Sequence, residues 1–434
     1  MSFDQDFKKK SYAIYGLGLT GHSTLNFLKK SGVKNFFLWD DNSKKRKNFK
    51  VKYDRQFFKK KLNKVNYIII SPGININKSF FKKNLNKNFI KILTDIDLFF
   101  LKNDKKLIKS IVVTGTNGKS TFCKILEHIL KKKGLDVKSG GNIGYPILDL
   151  RTKKKTIVII EASSFQLALS KFIKPNYAIL LNITNDHLDW HGSTKNYYNS
   201  KFKIFSNQGS NNFAFLNNKM LAKKFKKNKY QSKLKFINIQ KYKKLKSKLK
   251  NDYLNSETNF ENMSYVYALS KALKIKEKSF IQSLKSFKGL AHRHEIFYKK
   301  NNKIFINDSK ATSFEASKFA LKGNKNIFWI LGGLPKKGDK FNLKEIRKNI
   351  IKAYIIGRNM NFFKNFLNKK VNFKLCKTLD NAILSIFKDI KKIKDKKITI
   401  LFSPASASYD QFKNFEERGN YFKKLIFKKF KLNA

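Results

Sequence analysis

The residues best suited to chemistry form the run Thr114-Gly115-Thr116-Asn117-Gly118-Lys119-Ser120-Thr121, set between the apolar stretch IVV and the helix-like FCKILEHILKKKG. A glycine-rich turn at the end of a strand lets backbone N–H groups face phosphate oxygens. The N-terminus of the next helix adds partial positive charge. In such a loop Lys119 reaches the β- and γ-phosphates, and the Ser120 hydroxyl ligates Mg²⁺. Val113 stands where the general pattern has glycine, so this is a variant loop. A second glycine turn, Gly16-Leu17-Gly18-Leu19-Thr20-Gly21, follows the strand-like SYAIY, with Asp40 where a ribose-binding acid belongs. Alone it suggests NAD and an oxidoreductase, but a glycine turn plus a helix N-terminus serves any diphosphate. Glu161 closes the apolar run TIVIIE, and a carboxylate at the C-terminal end of a parallel strand sits where such folds bind ligands.

The segments that must position these residues alternate between strand and helix. SYAIY, NFFLWDD and YIIISPG read as strands, and HSTLNFLKKSG reads as a helix ending at Gly32. A Lys-rich connector, LKNDKKLIKS, places a domain boundary near residue 104. IVVTG, TIVIIEAS and YAILLNIT make a second set of strands. KIFINDS, NIFWILGG, AYIIGR and KITILFSPAS make a third, after AHRHE. The runs are continuously apolar, as buried parallel strands are, so the expected fold class is α/β in three domains. The expected spans are 1–103, 104–295 and 296–434. Residues 221–250 are Lys-dense and are expected to form a solvated edge of the central domain.

Composition bounds the remaining possibilities. A chain of 434 residues with 41% hydrophobic residues buries several cores and exceeds one ordinary domain. No apolar run approaches the ~18–20 residues that cross a bilayer. The N-terminal apolar patch is a strand and not a signal peptide. Neither membrane insertion nor export is therefore expected, and the compartment expected is the cytoplasm. Cys123 and Cys376 make no disulfide framework and no metal-ligand pair. The net charge of +66 taken alone points to nucleic acid. Yet seven of the 95 basic residues are Arg, the residue that reads phosphates and base edges bidentately. The lysines are scattered among Asn, Ile and Phe, which share A/T-rich codons. A compositional origin is expected, with no specific nucleic-acid partner.

TGTNGKST resembles the ATP loop of the Mur ligases and folylpolyglutamate synthetases, and the family's other landmarks follow it in order. The resemblance covers essentially the whole chain. It places Asn142, in GNIGYP, near the phosphates and metal, and makes Glu161 the Mg²⁺-binding carboxylate. It puts His187, in NITNDHLDWHGS, at the family's metal histidine; a loop histidine is otherwise more often satisfied locally, and His191 is left structural. Lys201, in YYNSKFKIF, falls on the family's carbamylated lysine and is chosen only by its spacing from His187. Asn259 and Asn262 fall on the adenine-nucleotide asparagines, with Thr258 where the family has His. His292 and Arg293 match the family's His-Arg pair. Asp308 and Thr312, in NDSKAT, fall on the positions that contact ATP and face the incoming amino acid; Ser313 replaces the family's Asn. Lys336, with Lys337 as the alternative, matches the lysine near the amino acid's side-chain carboxylate. SPASASYDQFKNFEERG resembles the D-glutamate-adding branch, placing Ser408 and Phe415 against D-glutamate. In that branch the first glycine turn holds UDP, with Leu19, Thr20, Asp40, Ser71, Pro72 and Gly73 around the nucleotide.

The resemblance implies a Rossmann-like UDP-binding domain, a central P-loop ATPase-like domain and a C-terminal Rossmann-like domain. The implied reaction adds D-glutamate to UDP-N-acetylmuramoyl-L-alanine through an acyl phosphate in peptidoglycan synthesis. ATP and Mg²⁺ are the implied cofactors and a monomer the implied state. Lys119, His187 and Lys201 carry catalysis; Ser120, Glu161, His187 and Lys201 hold metal; residues 115–121, Asn259, Asn262, Arg293 and Asp308 bind ATP. Three other readings are weighed, one of them a nucleic-acid-binding P-loop protein, which retention on phosphocellulose at high salt without ATP turnover on amino acids would favour. A folylpolyglutamate synthetase lacks a UDP-type first domain, and an NAD-dependent oxidoreductase has no use for TGTNGKST and Glu161.

Overall fold

The computed structural model describes residues 5–103, 109–142, 144–249, 251–336, 339, 342–393 and 396–429. Strands β1 (Tyr12–Tyr15), β2 (Phe36–Trp39), β3 (Tyr67–Ile70) and β4 (Ile92–Leu93) form a first parallel sheet in the order β2-β1-β3-β4. Strands β5 (Lys109–Thr114), β6 (Val137–Gly141), β7 (Ile157–Glu161), β8 (Tyr177–Leu180), β9 (Phe213–Leu216) and β10 (Lys233–Phe236) form a second, in the order β10-β9-β8-β5-β7-β6, again parallel throughout. The third holds β11 (Glu295–Lys300), β12 (Lys303–Asn307), β13 (Ile327–Gly332), β14 (Ile350–Ile356), β15 (Phe373–Lys377) and β16 (Ile398–Phe402). Its order is β11-β12-β16-β13-β14-β15, with β11 alone antiparallel to its neighbour.

The continuous apolar strands follow from burial on both faces. In β1, Tyr12 and Ile14 point into one core and Ala13 and Tyr15 into another. In β13, Trp329 and Leu331 enter one core while Phe328 and Ile330 enter a second. Alternate residues take opposite faces, and helices cover both, so no position is left for a polar side chain. Each such aromatic or aliphatic side chain contributes about 1.5–3 kcal/mol on burial. The Lys-dense run 221–250 supplies the end of helix Lys219–Lys227, the edge strand β10 and helix Ile239–Lys246. Lys233 and Lys235 on that edge strand are exposed. Charged side chains on an edge discourage pairing with another chain.

The chain divides into two compact units. Residues 1–248 with 261–286 form one, carrying the first and second sheets. Residues 249–260 with 287–434 form the other, carrying the third. Among the described residues no helix is long and apolar enough to cross a membrane.

Candidate active site

Strand β5 lies between β7 and β8, so residues leaving its C-terminal end emerge at the centre of the second sheet. The chain turns there through Gly115–Gly118 into helix Lys119–Lys132. Gly118 has φ +84°, a left-handed conformation that favours glycine, and the Asn262 side chain packs against it where a Cβ would stand. Lys119 curls back over the loop, its Nζ donating to the carbonyls of Gly115 at 2.8 Å and Thr116 at 2.9 Å. The Ser120 hydroxyl donates to Glu161 Oε2 at 2.6 Å. Asn142 Nδ2 donates to Glu161 Oε1 at 3.1 Å, and its backbone N to the Glu161 carbonyl at 2.8 Å. Thr121 is buried in the first turn of the same helix.

Lys201, from helix Thr194–Phe202, is 1% exposed. Its Nζ donates to the Gly115 carbonyl at 2.8 Å and lies 3.5 Å from Thr114 Oγ1. Burial, and after it the charge of Lys119, holds this amine well below the usual lysine range. His187 begins helix Leu188–His191 in left-handed backbone (φ +53°), with Asp186 3.3 Å from its Nε2 and the Phe165 ring packed against it at 4.7 Å. His191 is structural: it is buried, its Nε2 meets Ser164 Oγ at 3.0 Å, and its ring stacks on Phe165. Burial, aided by the charges of His187 and Lys201, pushes it down to about 4, so it is neutral at physiological pH.

Several residues that support the loop had no signal in the sequence. Thr116 Oγ1 donates to the Thr184 carbonyl at 3.1 Å and lies 2.9 Å from the Tyr197 hydroxyl. Asn182 Oδ1 accepts the Asn117 amide at 2.9 Å, and its Nδ2 donates to Glu261 at 2.9 Å. Tyr265 donates to the carbonyls of Leu180 and Leu181 at 2.8 and 3.0 Å. Their types are ordinary, and only the tertiary fold brings them to the loop.

In the first sheet the turn after β1 is as tight as its glycines suggest. Gly16 has φ +99°, and a Cβ on Gly21 would fall 1.9 Å from the Gly16 carbonyl oxygen. Ser71 Oγ donates to that carbonyl at 2.8 Å, which joins the Ser71-Pro72-Gly73 turn to the glycine turn. Asp40 closes the group: its Oδ2 accepts the Leu17 amide at 2.7 Å, with Lys45 Nζ at 3.4 Å. Leu19 is 81% exposed and Thr20 half-buried at the start of helix Leu19–Lys30, where a ligand can lie against them.

The second unit gathers the remaining candidates. Asp308 follows β12; its Oδ1 accepts the His294 amide at 3.0 Å and its Oδ2 the Ser403 hydroxyl at 2.7 Å. Burial pushes its carboxyl up to about 7, against those two hydrogen bonds and the Arg293 charge. His292 Nδ1 lies 3.0 Å from Asn307 Nδ2, and Thr312 is half-buried four residues after Asp308. Phe415 opens helix Phe415–Lys429 with Lys310 Nζ 3.7 Å above its ring. Ser408 is buried, and Lys336 is half-buried in the loop after β13. The alternative Lys337 lies outside the described residues. Asn259 is buried, its Nδ2 donating to the Tyr253 carbonyl at 2.8 Å. It sits one turn before Asn262 on helix Glu257–Ala272.

Arg418 escaped the sequence reading. It is 1% exposed, and donates from Nε to Ser309 Oγ at 3.1 Å and from Nη2 to the Ser309 and Ser406 carbonyls at 2.8 and 3.0 Å. It therefore clamps the Asp308 segment to the Ser408 segment. Its Nη1 has no partner among the described residues, and burial pushes its guanidinium down to about 10. Arg418→Met is expected to cost about 2–4 kcal/mol in urea unfolding, because two carbonyls lose charged donors. It is expected to raise KM for the amino acid more than KM for ATP; an unchanged amino-acid KM in the folded variant counts against the clamp.

The donors beside the loop are hard oxygens. Ser120 Oγ and Glu161 Oε2 already lie 2.6 Å apart. Among the described residues no cluster of three or more His, Cys, Asp or Glu can hold a metal by itself. A site with one carboxylate and one hydroxyl fits Mg²⁺, which keeps waters and takes its other ligands from substrate phosphates.

One chain that carries a variant phosphate loop on a parallel sheet, a second glycine turn on another and a third α/β sheet has the elements of a Mur ligase. A model of the Mur ligase middle domain matches residues 113–281, and one of the Mur ligase MurD-like N-terminal domain matches residues 10–93. UDP-N-acetylmuramoylalanine--D-glutamate ligase of Wolbachia sp. subsp. Brugia malayi is 36% identical over 96% of this chain and 96% of its own. The Rickettsia prowazekii enzyme of that name is 34% identical over 96% and 98%. In fold, MurF ligase from Thermotoga maritima in complex with ADP is similar at a TM-score of 0.57 and 15% identity, over 98% of this chain and 100% of that one. The chain belongs to the UDP-N-acetylmuramoylalanine--D-glutamate ligase family.

Proposed function

We infer that the chain joins D-glutamate to UDP-N-acetylmuramoyl-L-alanine at the expense of ATP, in peptidoglycan synthesis. The observation that carries this is the loop Gly115–Ser120 with Lys119 folded over it and Glu161 on the Ser120 hydroxyl, in a chain of this family. Residues 1–103 take the UDP precursor, 104–295 take ATP and 296–434 take the amino acid.

A carboxylate resists attack by an amine because its carbonyl is deactivated and its leaving group is oxide. The L-alanyl carboxylate oxygen therefore first displaces ADP from the γ-phosphorus, giving an acyl phosphate. The D-glutamate amine then adds to the carbonyl carbon, loses a proton, and phosphate leaves with the C–O bonding pair. The protein contributes positioning and charge. The Lys119 ammonium exchanges the Gly115 and Thr116 carbonyls for the β- and γ-phosphate oxygens. Loop amides 115–121 cradle the phosphates, and Asn142 keeps Glu161 aligned. Asn259, Asn262, Arg293 and Asp308 serve the nucleotide; Thr312, Lys336, Ser408 and Phe415 serve D-glutamate; Leu19, Thr20, Asp40 and residues 71–73 serve UDP. Mg²⁺ held by Ser120 and Glu161, and a second ion by His187 and a carbamate on Lys201, would supply charge neutralisation of the phosphates.

The test is phosphate release with ATP, Mg²⁺ and UDP-N-acetylmuramoyl-L-alanine against a panel of amino acids. Turnover is expected with D-glutamate, much less with L-glutamate, and none with L-lysine or diaminopimelate. L-lysine brings an ammonium where the site pairs a side-chain carboxylate, leaving the site's cation unpaired at a cost of ~10⁴-fold or more; L-glutamate presents its groups in the wrong configuration, and diaminopimelate adds a second ammonium beside its distal carboxylate. Efficient use of L-lysine would overturn the assignment.

A further inference from the structure

Helix Asp95–Asn103 leaves β4 of the first sheet and leads toward β5 of the second. Asp97 on it is fully buried, yet carries a carboxylate saturated by five donors. Oδ1 accepts the Ser170 hydroxyl at 2.6 Å, the Lys171 amide at 2.8 Å and the Phe172 amide at 2.7 Å. Oδ2 accepts the Thr94 amide at 3.0 Å and the Thr94 hydroxyl at 3.1 Å. Beside it, Asp95 accepts Gln166 Nε2 at 3.2 Å, while Gln166 Oε1 accepts the Ser163 amide at 3.1 Å. Ser163 stands two residues after Glu161 at the head of helix Ser164–Leu169, and Ser170 at its foot. One short helix therefore runs from the ATP-side carboxylate to the root of the UDP-side sheet.

Two more ties join the same halves. Asn75 Nδ2 donates to the Trp190 carbonyl at 3.1 Å, binding the segment after the Ser71-Pro72-Gly73 turn to the one after His187. Lys171 Nζ donates to the Phe89 and Ile90 carbonyls at 2.6 and 2.9 Å. None of these groups has a part in the chemistry described above. A core that only needed filling would be met by apolar side chains; the Asp97 carboxylate, its burial offset by five donors, also fixes the direction of the groups it accepts from.

We propose that Asp97 is a positioning residue whose carboxylate locks the UDP-side sheet to the ATP-side sheet, so that the precursor's carboxylate is held in line with the γ-phosphate. The inference rests on the reaction assigned above. The two reactants are anchored on different sheets, and reacting atoms must come within about 3–3.5 Å in alignment; a shift of about 1 Å can cost ~10²-fold in rate. Asp97 bonds to Thr94, Ser170, Lys171 and Phe172, none of which is assigned above to either ligand, so binding and turnover separate.

Asp97→Asn turns one accepting end into a donating NH₂ that must face at least two donors. The expected result is a kcat lower by ~10–100-fold, with the Kd of ATP and the Kd of UDP-N-acetylmuramoyl-L-alanine, each measured alone, changed by less than about threefold. Pulsed-EPR distances between spin labels at Lys60→Cys and Lys227→Cys, one beside each sheet, are expected to broaden. Both residues are exposed, and native Cys123 and Cys376 are buried. An unchanged distance distribution overturns the proposal whatever the activity, so it is decided even if the wild type proves inactive with D-glutamate. Broadened distances with an unchanged kcat, or losses of both affinities in parallel with kcat, overturn it as well. If Asp97→Asn does not fold, Ser170→Ala, which removes one of the five donors, is read by the same criteria with a smaller expected change.

Discussion

Lys119→Ala is expected to abolish ADP formation, with kcat down by roughly 10³-fold or more, while binding of UDP-N-acetylmuramoyl-L-alanine stays within about twofold. Removing one preorganised donor to developing charge typically costs 10²–10³-fold, and a cation on a transferring phosphoryl group is worth more. A 10³-fold loss is about 4 kcal/mol. The precursor's binding is spared because the glycine turn, Asp40 and the Ser71 hydroxyl proposed to hold it belong to the first sheet, whereas Lys119 lies over the second, donating to the Gly115 and Thr116 carbonyls. Isothermal titration with the precursor, paired with a coupled ADP assay, separates the two. Equal loss of both in a folded variant would contradict two nucleotide sites on two sheets.

Lys201→Ala is expected to lower kcat by about 10²-fold, with partial recovery when a short-chain carboxylate such as acetate is added. The physical case has three steps. An exposed lysine is a cation near pKa 10.4. Lys201 is buried 1% exposed beside the Lys119 charge, so its ammonium form is strongly disfavoured. A neutral amine adds CO₂ and loses a proton to give a carbamate, exchanging a +1 donor for a −1 oxygen ligand suited to Mg²⁺. The Gly115 carbonyl that now accepts from Nζ shows that the side chain already reaches the loop. Acetate supplies the missing oxygens without the lysine. Near-wild-type activity of the unsupplemented variant would remove Lys201 from catalysis.

The parts of this molecule that repeat a physical rule were legible in its sequence. The α/β class followed from apolar runs that the sheets bury on both faces, as in β1 and β13. The glycine turn after β1 was legible because no other residue fits: a Cβ on Gly21 collides with the backbone. Among the strands that escaped, β9 (FAFL) is apolar but only four residues long, whereas two others lack such a run. β6 is Val137–Gly141, with two glycines, and β10 is KLKF at a sheet edge. Both are strands because a neighbour offers a ladder, which no local pattern encodes. The same division holds in the site. Lys119, Ser120 and Glu161 announce themselves by position, but Lys201 was one lysine among many, and only its spacing from His187 chose it. Asn182, Glu261, Tyr197 and Arg418 were invisible, since each acts through a partner distant in the chain.

The embrace of Gly118 by Asn262 bears on how the protein is made. The phosphate loop is complete in sequence by residue 121, but the side chains that shape it arrive much later. Asn262 lies over Gly118, Glu261 holds the Asn182 that holds Asn117, and Tyr265 ties down the carbonyls of Leu180 and Leu181. All three belong to helix Glu257–Ala272, which rejoins the first unit only after the chain has passed through residues 249–260 of the second. A nascent chain stalled near residue 250 thus carries every residue of the loop, with Asn182, Thr184 and Tyr197 to support it, but lacks Glu261, Asn262 and Tyr265. The loop's set of contacts is therefore completed only once synthesis has passed residue 265, well into the second half of the polypeptide.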